Sequence, residues 1–298
     1  MNSSLKGKEN FTNSENCHLP MAHAAALMLT NSLTAVLGTF GNFLVCIAVL
    51  TSPRLRRCSN FLLVSLAVAD LIVTVACAPL LVVMVGRIAL DYECPTTLEL
   101  AYSITGHLSF TSSILHLAAI SIDRFLAVVV SLRHGNIMKK YGLKTMLAAV
   151  WGTSVLFTCL RVTHLKETSF FAFALFALSY VIIIVSYSSI LVFLVKERRR
   201  KKHLRSGSNS VVVTSQIEGR VAFTLAIVIG IFSACWFPLI ISFFATGGHL
   251  VKLHGPAFMW IRTLAVSNSA MNFLIYSWRI RDFREAYAKI CRGIIGHA

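Results

Sequence analysis

The chain has 298 residues, of which 56% are hydrophobic and 13% charged, and its mean hydropathy is +0.72. Soluble domains carry about 25% charged residues, so this composition excludes a water-soluble globular protein and points to repeated crossing of a bilayer. The net charge of +16 does not mark a nucleic-acid binder, because Lys and Arg gather in short segments between apolar runs, as in cytoplasmic loops of membrane proteins.

The opening segment, MNSSLKGKENFTNSENCHLP, is polar and lacks the apolar core of a cleavable signal. Sequons at Asn2 and Asn10 fit glycosylation of an exported tail over residues 1–23. A membrane-crossing helix takes about 20 apolar residues, and seven runs are long enough: 24–50, 60–86, 98–130, 145–162, 169–195, 219–246 and 256–278. The predicted fold is all-α, a seven-helix transmembrane bundle over 24–278. Several runs exceed the bilayer thickness, so their inner ends project into the cytoplasm. Arg54, Arg56, Arg57, Lys139, Lys140, Lys144 and the run KERRRKKHLR (196–205) then share one side. That side holds the C-terminus and meets anionic membrane lipids, and the N-terminus lies outside the cell.

Cysteine usage agrees with this topology. Cys46, Cys77, Cys159 and Cys235 sit in apolar runs, and Cys58 and Cys291 fall on the basic side. Cys17 and Cys94 face the oxidising side, where they are candidates for one bridge or two free thiols. After the last span, Ile280, Phe283, Ala286, Tyr287 and Ile290 recur at helical spacing among Arg and Lys. Residues 279–298 therefore read as a cytoplasmic amphipathic helix and tail on the inner leaflet, with Cys291 a candidate for palmitoylation. HExxH, GxSxG and Walker patterns are absent, so no enzymatic activity is expected.

Polar residues inside a span are expensive and by default functional. In chain order they are Asn42 in GNFLV, Asp70 in SLAVADL, Ser113 in SFTSSIL, and Asp123-Arg124 in AISIDRFLAV. Tyr187 in VSYSSI follows, then Trp236 and Pro238 in CWFPL, then Asn268, Ser269, Asn272 and Tyr276 in NSAMNFLIY. Taken together and in this order, they resemble the rhodopsin-like (class A) G-protein-coupled receptors, and the resemblance runs from about residue 30 to 292.

The resemblance implies a plasma-membrane receptor that passes the signal of an extracellular ligand to a heterotrimeric G protein, with arrestin and a dimer partner as further partners. Asp123, Arg124 and Phe125 match the family's Asp-Arg-Tyr motif. Arg124 would pair with Asp123 and with Glu218, which lies 18 residues before Trp236. Opening this clasp would move the sixth helix outward and expose a cleft lined by Arg124 and Tyr187, with Trp236, Pro238, Asn272 and Tyr276 as further switch positions. Asp70, Ser113, Asn268, Ser269 and Asn272 match the family's sodium pocket, which makes an allosteric Na⁺ a candidate; the alternative is a neutral Asp70 in a hydrogen-bond network. No other cofactor is implied.

Three departures stand out. Phe273 and Ser179 replace prolines of the seventh and fifth helices, which leaves a weakly signalling receptor-fold partner protein as one alternative. Glu99 replaces the cysteine at the outer end of the third helix, and the loop VTHLKETS (162–169) has no cysteine, so the family's common bridge is not formed. The short cysteine-free loop resembles those of melanocortin, cannabinoid and lysolipid receptors, and the stretch NIM (136–138) resembles the melanocortin second inner loop, whereas the last span and tail resemble adenosine and amine receptors.

By the same alignment Gly106 stands where amine receptors carry their aspartate, and Val266 where opsins carry the retinal lysine. Phe243 stands where adenosine receptors carry an asparagine. Monoamine, retinal and adenosine ligands are therefore disfavoured. The remaining ligand cup has Phe110, Trp236, Leu239, Ile240 and Phe243 as its apolar part, with Glu99, His107 and Arg262 as polar groups. It suits a lipid or small peptide. Arg262 either binds an anion or pairs with Glu99. A seven-helix channel or transporter is the alternative from another class.

Overall fold

A computed structural model describes residues 19–90, 96–129, 131–162, 168–203, 209–246 and 255–295, with backbone alone for the helical stretch 209–225. Every regular element in them is helical. Helix α1 is Met21–Thr51. Helix α2 runs through Asn60–Ile72, a π-turn at Val73–Cys77, and Ala78–Leu90. Helix α3 is Thr96–Val129. A short helix, Ser131–Ile137, and a π-turn at Met138–Gly142 lead into α4, Leu143–Val162. Helix α5 is Thr168–His203 and α6 is Asn209–Ala245. Helix α7 consists of Pro256–Ser267, a 3-10 turn at Asn268–Ala270, and Asn272–Arg279; α8 is Arg281–Ile295.

Among the described residues six helices are long and apolar enough to cross a membrane, and the divided α7 is the seventh of the bundle. Their outward faces carry Leu29, Val36, Phe40 and Phe43 on α1 and Val181, Ile184, Val185 and Leu191 on α5, all exposed. An apolar surface of that extent has no place in water. It fits hydrocarbon, where helices satisfy every backbone hydrogen bond internally.

The bundle packs around two apolar clusters. The larger joins Val45, Ala48, Leu62, Leu66, Ile114, Leu117, Phe232 and Tyr276, and continues toward the basic end into Phe283, Ala286 and Tyr287 of α8. Helix α8 is therefore fastened to the bundle by its apolar stripe; burying a Phe-sized side chain contributes about 1.5–3 kcal/mol. Arg54 at the end of α1 meets Glu285 at 3.1 Å, and Arg281 meets the same carboxylate at 2.5 Å. Cys291 is half-buried against this cluster. The second cluster, at the far end, contains Leu27, Val73, Leu81, Val85, Met259 and Val266.

Several helices differ from the sequence expectation. Helix α5 continues to His203 rather than 195, and α6 begins at Asn209 rather than 219, because Lys, Arg and Glu are good helix formers and polar residues can extend a helix beyond the apolar slab. Proline replacement does not straighten α7: the 3-10 turn interrupts it just before Phe273. Helix α5 does run unbroken through Ser179, whose hydroxyl donates to the Leu175 carbonyl at 2.8 Å. Pro79 sits just after the π-turn of α2, where the wider turn accommodates a ring that would press on the carbonyl four residues earlier.

Phe273 has a counterpart on α1. A Cβ added to Gly41 would fall on the Phe273 ring, and one added to Gly38 would meet the Thr74 methyl and Ala270. The α1 glycines thus allow α7 to close on α1 around a ring that stands where the family has proline.

Candidate functional site

Three polar constellations among the described residues carry the candidate functional groups. The deep one is built by α2, α3 and α7. Asp70, Ser113, Asn268, Ser269 and Asn272 are all buried. Asn272 donates to Asp70 Oδ2 at 2.7 Å, while Oδ1 is buried and accepts no hydrogen bond among the described residues. Asn42 ties α1 to this layer by donating to the carbonyls of Gly38 and Ser269, each at 2.9 Å. The 3-10 turn of α7 lies here and exposes Ser269's carbonyl to Asn42. A carboxylate with one open oxygen among neutral hydroxyl and amide oxygens is a donor set suited to a hard cation.

The second constellation lies at the basic end. Asp123 is fully buried, and Arg124 meets its Oδ2 at 2.7 Å. Its Oδ1 accepts from Ser59 at 2.9 Å and from His134 Nε2 at 2.8 Å. Asp123 is thus held from three sides: by α2, by the short helix before α4, and by its own neighbour. Ser59 and His134 were not singled out in the sequence. No local motif marks them, because each comes from a different segment. Phe125 packs with Tyr187 against Val128 and Ile190. The hydroxyls of Tyr187 and Tyr276 are buried, and the Tyr276 ring stacks on Phe283 at 5.5 Å. Glu218 lies on α6, but its side chain is outside the described residues, as are Asn2, Asn10, Cys17 and Cys94. Replacing His134 with phenylalanine is expected to cost about 1–3 kcal/mol, read as a lowered Tm of the purified protein; an unchanged Tm would show that Ser59 and Arg124 suffice.

The third constellation lies at the far end. The sequence left Arg262 open between an anion and Glu99, and the structure pairs it with Glu99: Nη1–Oε2 is 2.7 Å and Nη2–Oε1 is 2.5 Å, both side chains being buried. The guanidinium also lies 5.1 Å from the Tyr102 ring centre and 4.6 Å from that of Phe258. Helical spacing could have revealed both rings, since Tyr102 is three residues after Glu99 and Phe258 four before Arg262. Below this pair, Phe110 packs against Trp236 at 4.5 Å and stacks with Phe176 at 5.7 Å and Phe232 at 6.3 Å. Tyr180 joins α5 to α6 by a 2.5 Å hydrogen bond to Ser233. Leu239, Ile240 and Phe243 are half-buried on α6 above Trp236, and Pro238 removes one amide donor from that helix.

His107 of the sequence-derived cup and Val266, at the position of the opsin lysine, point elsewhere. His107 donates from Nδ1 to the Ser103 carbonyl at 2.6 Å and faces Phe157 of α4, and Val266 packs into the α1–α2–α7 cluster. A further buried knot joins α2, α3 and α4. Ser65 donates to His116 Nε2 at 2.8 Å and accepts from Trp151 at 2.9 Å, and His116 Nδ1 donates to the Ser112 carbonyl at 2.7 Å. Every ring nitrogen is satisfied, so this histidine is a packing element.

Comparison with known proteins finds relatives that are named as receptors. The adenosine receptor A2a of Canis lupus familiaris is 29% identical over 87% of this chain and 70% of its own length, and that of Homo sapiens 28% over 92% and 74%. The histamine H2 receptor of Canis lupus familiaris is 28% identical over 85% of this chain and 75% of its own length. The family model for the seven-transmembrane receptors of the rhodopsin family matches residues 41–276, a stretch that includes the Asp70, Asp123–Arg124 and Glu99–Arg262 constellations. The chain belongs to the rhodopsin family of seven-transmembrane receptors.

Proposed function

We propose that this receptor answers an extracellular ligand by activating a heterotrimeric G protein, with the basic end of the bundle cytoplasmic and the N-terminus outside. The observation that carries this reading is the hold on Asp123. A buried carboxylate anchored by Ser59 and His134 keeps Arg124 beside it at 2.7 Å, so Arg124 is withheld from a cytoplasmic partner until α6 moves. Outward motion of α6 is the bistable step, and ligand bound at the far end biases it. Glu218 is assigned as the second acid on Arg124.

Neutralising Asp123 removes the hold. Asp123→Asn is expected to raise ligand-free nucleotide exchange several-fold on at least one Gα class, measured with purified receptor in lipid vesicles. If neither wild type nor this variant catalyses exchange on any Gα class, the reading fails. A weakly signalling partner protein would then be favoured, and ion flux without G protein would favour a channel.

The deep constellation serves the same switch. Asp70, Ser113, Asn268, Ser269 and Asn272 are assigned to hold Na⁺, which supplies positive charge to the open carboxylate oxygen and so secures α2, α3 and α7 in one arrangement. Sodium is expected to raise the Tm of wild-type receptor and to leave that of Asp70→Asn unchanged. Equal shifts in both would remove the assignment. The relatives are named adenosine and histamine receptors. Gly106 and Phe243 support a different ligand here, because neither offers the polar anchor that those positions would need.

A further inference from the structure

Glu99, Tyr102, Gly106 and Phe110 are spaced by three, four and four residues, so they form one stripe of α3. The stripe is about 16 Å long at a helical rise of 1.5 Å per residue. At its far end the Glu99–Arg262 pair reaches from α3 to α7. Two turns deeper, a Cβ added at Gly106 would meet nothing within 4 Å among the described residues. Below that space, Phe110 and Trp236 form an aromatic floor, and the Trp236 indole N–H is buried without an acceptor among the described residues. The stripe therefore faces a slot with a charged mouth, an open middle and an aromatic base.

The sign of the missing partner follows from the groups left over. Arg262 has five N–H donors, of which Glu99 takes two in the bidentate pair. Trp236 offers another donor. The carboxylate of Glu99 is already matched, and His107 turns toward α4. What the slot offers is N–H donors without acceptors among the described residues, and a guanidinium flanked by two rings is suited to a planar carboxylate.

We propose that the slot binds an organic carboxylate. Its anionic head engages Arg262 in exchange for Glu99, and its apolar body fills the space at Gly106 down to Trp236. Glu99 lies in the first turn of α3, so the positive end of that helix partly offsets the charge of the released carboxylate. The exchange preserves the charge on Arg262 while unfastening α3 from α7. This assignment rests on the receptor reading for its consequence, and its test does not depend on a G protein.

The experiment is a thermal-shift series on wild-type receptor in lipid nanodiscs with octanoate, dodecanoate and indole-3-acetate, each beside its methyl ester and the corresponding primary amine. At least one acid is expected to raise Tm, with its ester and amine inactive. Glu99→Gln, which keeps Arg262 and loosens its internal partner, is expected to bind that acid about tenfold more tightly. Glu99→Leu/Arg262→Met, which leaves no buried charge, is expected to lose the shift. The proposal is overturned if no acid shifts wild type, if acid and ester act equally, if the amine alone acts, or if the acid shift survives in the double variant. Those results would leave nucleotide exchange untouched. Absent exchange with intact acid binding would instead refute the signalling reading alone.

Discussion

Replacing Arg262 alone with methionine is expected to destabilise the receptor by about 3–5 kcal/mol, because it leaves Glu99 buried without its counter-ion. Glu99 is 5% exposed and Arg262 4% exposed, and each is the other's bidentate partner. Replacing both, as Glu99→Leu/Arg262→Met, is expected to recover most of that loss, since two apolar side chains of similar volume avoid desolvating any charge. Unfolding of the purified single and double variants measures the coupling. A double variant as unstable as the single would show that the cost lies in lost packing against Tyr102 and Phe258 and not in the orphaned charge. The pair also has a topological role. Glu99 stands where the family's α3 cysteine would be, so a non-covalent clasp to α7 occurs where a covalent bridge is lacking.

Gly41→Ala is the second large effect. The new methyl would overlap the Phe273 ring, and overpacking of this kind typically costs about 1–3 kcal/mol. Phe273→Ala opens a gap at the same contact and also destabilises. The two substitutions share one volume, so their combination is expected to cost less than the sum of the separate losses. Strict additivity in Tm or denaturation would mean that α1 and α7 do not meet through this ring. The same contact bears on the switch, since Phe273 directly follows Asn272, the donor to Asp70. Tight α1–α7 packing therefore helps to set the position of that amide.

Much of the molecule was legible in its residues. The seven apolar runs, the basic side and the amphipathic stripe of α8 follow from hydropathy and periodicity, which act locally along the chain. Asp70, Asn272, Asp123 and Arg124 were visible because ionisable and amide groups in hydrocarbon are costly, so their presence in a span is informative by itself. The 3-10 turn of α7 was not legible. The expected kink-former, proline, is missing, and the turn forms where Asn268 and Ser269 are drawn into the polar layer around Asp70 and Asn42.

Partner choice was left to the tertiary structure. Sequence named Arg262 and Glu99 without deciding between mutual pairing and an outside anion, and it did not associate Ser59 or His134 with Asp123. Those residues lie 163, 64 and 11 positions apart respectively. Hydropathy determines that a segment enters the membrane and roughly how deep each residue sits, but not its rotation about the helix axis. That rotation is set when side chains from several helices compete for the same interior volume, as Phe273 does with Gly41, and it decides which buried charges meet.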